Sequence, residues 1–238
     1  MKLYTTLEIE QLQQNEDLPY LIEIMDWVKI FLARPHPDLG RRGVVCPFVP
    51  SSLKSNNIWL AVIHTKNLCL EQVEAIVKSY LDIFLKKEAD DDDKELAISK
   101  AFVLIFPDVH IEEASKVIDG VQKKLKPMFV ESGLMLGEFH NRTENPGLHN
   151  PNFRPLRSPI PLLVIRPMTE IDLTFLMSPD NPHLCIRYLE AYLNHFGHKI
   201  TDEIKFKDAH QALALAKEQL KQENLVNYCN INQSGSLK

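Results

Sequence analysis

Two stretches of the chain concentrate the side chains that could do chemistry. The first reads Arg34-Pro-His-Pro-Asp-Leu-Gly-Arg-Arg-Gly-Val-Val-Cys46-Pro47-Phe48-Val-Pro50. A cysteine ahead of a proline is held in extended geometry, because the residue before proline is pushed out of the α region. Arg41 and Arg42 precede Cys46, and neighbouring cations lower a thiol's pKa. A thiolate in that setting serves as a nucleophile or as a soft iron ligand, which makes Cys46 a candidate metal ligand. The plainer reading is a small buried hydrophobe.

The second stretch begins at Gly133-Leu-Met-Leu-Gly-Glu138-Phe-His140 and continues through His149, Phe153, Arg154, Arg157 and Pro159. From His140 to Pro167 two histidines and four arginines (Arg142, Arg154, Arg157, Arg166) face one acid, Glu144, in a chain of net charge −5. A basic loop ordered by prolines can hold an anion, because the arginine fork matches carboxylates and phosphates in a bidentate way. The plainer reading is a structural loop whose arginines bond backbone carbonyls. His140 follows an expected strand, where it could ligate a metal or shuttle protons. Glu138 could hold a substrate cation or move a proton.

Other constellations are missing. GxGxxG, GxxxxGK[ST], HExxH and GxSxG do not occur, so Rossmann, P-loop, zincin and α/β-hydrolase readings lack support. His36, His140 and His149 have no partner one helical turn away, so a histidine metal site would draw on distant parts of the fold. His195 and His198 read as a surface pair. The run Glu88, Asp90, Asp91, Asp92, Asp93 lacks the alternating acids and turn glycine of a calcium loop and reads as a solvated segment.

The elements that must position these residues follow from hydrophobic period and punctuation. Ten of the 15 prolines fall between Pro35 and Pro50 or between Pro146 and Pro167, which predicts ordered, irregular backbone there. The two segments are expected to meet around one pocket, with Cys46, His140 and the Arg154–Arg157 loop on its wall. Apolar residues from Tyr20 to Leu32 recur at helical spacing and end against Pro35. Ile58–His64, Ala101–Phe106, Leu134–Phe139 and Pro161–Arg166 read as strands. Leu70–Lys87 and Ile111–Leu125 read as helices between them. Thr169 with Asp172 suits the cap of a short helix to Leu176. A further helix starts at Pro182 and stops at Gly197. Residues 204–226 form one more amphipathic helix, followed by a polar tail expected to be disordered.

The expectation is an α/β fold, with α+β the variant: one domain over residues 1–203 whose mixed sheet of about four strands is flanked by helices and long proline-rich loops. Residues 204–238 would add the C-terminal helix and tail. The 238 residues are 45% apolar and 25% charged, which excludes disorder, collagen and coiled coil as global descriptions. Net acidity argues against a nucleic-acid partner. The absence of a long apolar run argues against a membrane one. Cys46, Cys69, Cys185 and Cys229 lie far apart without a CxxC pair, the pattern of a reduced, cytoplasmic chain.

The order of features, with Cys46-Pro-Phe, Gly137-Glu-Phe-His140 and Phe153-Arg-Pro-Leu-Arg-Ser-Pro-Ile-Pro-Leu-Leu163, resembles an uncharacterised bacterial domain family with CPF, GEFH and FRPLRSPxPLL signatures, found near natural-product biosynthesis genes. More distantly the chain is similar to the YqcI/YcgG family, some of whose members are heme-dependent N-oxygenases. That resemblance implies an oxidative enzyme of specialised metabolism, monooxygenase-like, acting on a small nitrogenous substrate that is anionic or amino-acid-like. Cys46 or His140 would then be the iron ligand, Arg154, Arg157 and His149 would hold the heme, and Glu138 and His140 would be catalytic. The alternatives are a non-catalytic binding protein of a biosynthetic pathway and a cofactor-free enzyme with Cys46 as nucleophile.

Overall fold

The computed structural model describes residues 2–87, 98–177, 181–197 and 202–234, the last ten of these as backbone. The acidic run from Glu88 to Asp93 and His198 lie outside the described residues. The described chain is a mixed α/β structure built on one open five-stranded sheet. It divides into two compact units, one of Met1–Lys126 with Leu134–Pro167, the other of Pro127–Gly133 with Met168–Lys238.

The first unit holds the sheet. In chain order its elements are β1 (Tyr4–Thr5), α1 (Thr6–Gln11), α2 (Leu18–Trp27), α3 (Val49–Lys54), β2 (Ile58–Val62), α4 (Leu70–Lys86), β3 (Ala101–Ile105), the start of α5 (Gly120–Glu131), β4 (Leu134–Phe139) and β5 (Leu162–Pro167). The strands lie in the order β1-β2-β3-β5-β4. β2 and β3 are parallel, Ile58 opposite Ala101, and α4 supplies the crossover that a parallel pair needs. The other pairs are antiparallel.

Strands buried on both faces read as continuous apolar runs, which is how Ile58–Val62 and Ala101–Ile105 read. Trp59 and Phe102 point to the α4 side, where Phe84 meets Phe102 at 4.7 Å and Trp59 meets it at 5.7 Å. Leu60, Val103 and Ile105 join the opposite cluster with Leu21, Ile24, Met25 and Val28 of α2, and with Phe153 and Ile160 from the loop after β4. That loop therefore packs into the core at two points rather than lying loose on it.

The fifth strand is the difference from the expected sheet. β1 has two residues, too few for a period, and only its pairing with Trp59 and Leu60 makes it a strand. Two helices also contain wider turns. After Trp27, α2 continues as a π-helical turn, Val28–Leu32, and a second such turn, Ser115–Asp119, leads into α5.

In the second unit Thr169 and Asp172 form the expected capping box, opening a single turn that leads into α6 (Leu173–Leu176). α7 (Pro182–Phe196) runs from the Asn181 cap to Gly197 as its sequence predicts. α8 (Glu203–Ser234) extends beyond residue 226, so the segment expected as a disordered tail is helical in backbone to Ser234.

Candidate functional site

The hairpin β4–β5 ends at the pair Phe139 and Leu162, and residues 140–161 between them form the long proline-rich loop. The loop is held from inside. Gly147 N donates to Phe153 O at 2.8 Å, and Asn150 Oδ1 accepts from Asn152 N at 2.9 Å. It is also held by the first proline-rich segment: Asn150 Nδ2 donates to Asp38 O at 2.7 Å, and the His36 ring lies 4.7 Å from Phe153. The two segments singled out by their prolines do meet in space.

Where they meet α2 there is an open cleft of about 640 Å³, bordered by Glu23, Asp26, Trp27, Phe153, Arg154 and Arg157. α2 turns Leu21, Ile24 and Met25 into the core, which leaves Glu23 and Asp26 exposed on its other side. Trp27 stacks on Phe31 at 5.9 Å, and Phe31 lies 6.2 Å from Phe153, giving the cleft an aromatic floor. Phe31 belongs to the π-helical turn, a distortion that often marks a functional site. The charged side chains that the loop contributes are cationic. Arg154 Nη1 bonds the carbonyls of Pro151 and Phe153, and Arg157 Nε bonds Thr143 O at 3.2 Å. Both arginines also bond Glu144, from Arg154 Nε at 3.2 Å and from Arg157 Nη2 at 2.7 Å. Arg154 first, then Arg157, holds the Glu144 carboxyl below its usual range.

A second cleft, about 400 Å³, is bordered by Asp119, Lys123, Glu138, Arg142, Glu144 and Asn145. Its helical wall is the other π-helical turn. Burial pushes the Glu138 carboxyl above the ordinary carboxylate range, and Asn145 Nδ2 donates to it at 2.9 Å. His140 lies behind Asp119 and is fully buried. Its Nδ1 accepts from Arg142 N at 3.2 Å, so the proton sits on Nε2 and goes to Asp119 Oδ1 at 2.9 Å. A third, polar cleft in the second unit is bordered by Glu131 and Arg187, which pair with each other, and by Glu190 and His195.

The structure thus groups the expected residues in two sets. Arg154 and Arg157 share the first cleft. Glu138 borders the second, with His140 just behind. Cys46 borders none of the three. It is half-buried against the α2-side core, its amide donating to Leu32 O at 2.9 Å. Arg41 is spent on the carbonyls of Arg42 and Val45. His149 is exposed, and its own carbonyl abuts Gly40. As arranged, these residues do not make a heme site. Neither His140 nitrogen has a lone pair to give, and the arginines expected at the propionates line a cleft that contains neither candidate ligand. Among the described residues no group of three or more histidine, cysteine or acidic side chains is placed to hold a metal ion.

Glu23, Asp26, Trp27 and Asp119 are the residues that sequence reasoning passed over. The first three were legible as two acids three apart beside a tryptophan on the polar side of an amphipathic helix. Asp119 carries no such mark, because only the π-helical turn brings it to His140. Comparison with curated proteins gives no match, and comparison with solved structures gives none either. Residues 21–207, which include all three clefts, match the family described as a domain of unknown function, DUF6875, and the chain belongs to that family.

Proposed function

We propose that this chain binds a small amino-acid-like molecule, cationic at a nitrogen and anionic at a carboxylate, in the cleft between α2 and the loop after β4. The observation that carries the reading is that two acids, two arginines and an aromatic group border one cleft. Glu23 and Asp26 stand on one wall, and Arg154 and Arg157 border the same cleft from the loop. Carboxylates and the face of Trp27 suit an ammonium or guanidinium group, while arginine forks suit a carboxylate. At about 640 Å³ the cleft has the volume of a typical small-molecule site.

A thermal-shift panel of the common amino acids, each beside its carboxamide and its decarboxylated amine, tests the proposal. At least one zwitterion should raise the melting temperature while its amide and amine do not. Asp26→Asn and Arg157→Lys should each weaken that ligand about tenfold, the scale of one charge-assisted contact in a partly open site. A panel without any zwitterion response, or a response indifferent to both substitutions, would end the reading. The absorption spectrum of the purified protein is a parallel check. A Soret band would restore an oxidative enzyme to consideration, and Cys46 would be its first ligand to test.

A further inference from the structure

Glu144 is unusual in position. It is the one acid in a basic loop, its side chain is 73% exposed, and two arginines close on it. Those arginines do not depend on it for their placement. Arg154 is anchored through Nη1 to the carbonyls of Pro151 and Phe153, and Arg157 through Nε to the carbonyl of Thr143, whose own side chain is buried. Removing the Glu144 carboxylate would therefore leave a preformed pair of donors aimed at one point. A carboxylate demonstrably fits that point, since one occupies it.

We infer that Arg154 and Arg157 form the carboxylate subsite of the first cleft, and that Glu144 is its resident occupant, displaced when a ligand's carboxylate arrives. This rests on the ligand class proposed above and adds how it is admitted. The exchange replaces one carboxylate by another at the arginines, so the local charge balance is kept. The displaced side chain has somewhere to go: the arginines that hold it border the first cleft, while Glu144 itself borders the second, together with Lys123 and Arg142. Glu144 thus stands between two cationic pairs, and ligand selects which pair it serves.

Benzoate is a suitable probe, having one carboxylate and a ring for the aromatic floor. It is titrated into the wild-type chain and into Glu144→Gln, Glu144→Ala and Arg154→Lys/Arg157→Lys variants, with the arginine Nε–H resonances reporting where it binds. Both Glu144 variants should bind benzoate roughly three- to tenfold more tightly than wild type, the range expected when exposed ion pairs no longer compete. The double lysine variant should lose about tenfold or more, because lysine lacks the planar fork. Equal affinity in wild type and both Glu144 variants would refute the displacement and leave the cleft reading standing, provided the amino-acid panel is positive. Benzoate binding that survives the lysine pair would refute the subsite. A melting temperature for each variant separates lost binding from lost folding.

Discussion

His64 shows how much one side chain can join. Its Nε2 meets Asp17 Oδ1 at 2.8 Å and its Nδ1 meets Asp108 Oδ2 at 3.2 Å. Asp17 is the cap residue of α2 but caps nothing with its carboxylate, which goes to His64 instead. Asp108 also accepts from the amides of Thr65 and Lys66. Burial alone would raise the Asp108 carboxyl, yet those amides and the charge of His64 hold it below its ordinary value. The hydrogen bond to Asp17 is the largest reason the His64 ring titrates above its usual 6.5, and Asp108 adds to it. A histidine whose folded pKa is raised contributes stability that is complete below the unfolded pKa and lost as pH rises through the folded one. Wild-type melting temperature should accordingly fall as pH rises above about 6.5, and His64→Gln should flatten that fall. Identical slopes in both proteins would show that the imidazolium holds nothing. His64 was legible only as the end of a strand. Its two acids come from 44 or more positions away, and no local pattern announces them.

Among the elements, the crossing of the two proline-rich segments is the tightest joint. Gly40 has φ +76°, and a Cβ there would meet His149 O at 2.5 Å and its carbonyl carbon at 2.8 Å. Gly40→Ala combines a left-handed backbone with a clash against main chain, together costing roughly 2 to 4 kcal/mol. Denaturant unfolding of that variant measures it, and an unchanged midpoint would mean the segments do not touch there. The sequence showed that these segments are ordered, through Pro35, Pro37, Pro151 and Pro155, because each proline fixes a dihedral wherever it stands. Their meeting was expected on the same ground, but the contact that fixes the crossing, Asn150 to Asp38 O, has no local mark, and Cys46 and His140 do not share the cleft it forms. The spans of α2, α4 and α7 were readable from their apolar stripes, whereas the short α1 and α3 and the π-helical turns were not. A π turn shifts which backbone carbonyl each amide finds and changes no residue type, yet Phe31 and Asp119 both owe their positions to one.

At the scale of the whole molecule, the C-terminal helix is longer than its sequence suggested, and the anchors among its described side chains include two alanines and a lysine. Ala209 and Ala216 are buried, and Lys217 pairs with Glu190 of α7 at 2.8 Å. Removing residues 228–238 should thus leave melting temperature and soluble yield close to those of the full chain; loss of soluble expression would show that the last turns do more than extend the helix. The chain's two tryptophans also lie in different surroundings. Trp59 is sealed in the sheet against Phe102, with Lys87 Nζ 4.7 Å from its ring centre. Trp27 is half-buried on the cleft floor. Light emitted by Trp59 follows unfolding, while light from Trp27 follows whatever rests on it. The protein therefore carries a built-in optical label for an occupied cleft, and replacing Trp59 by phenylalanine would leave that signal alone in the spectrum.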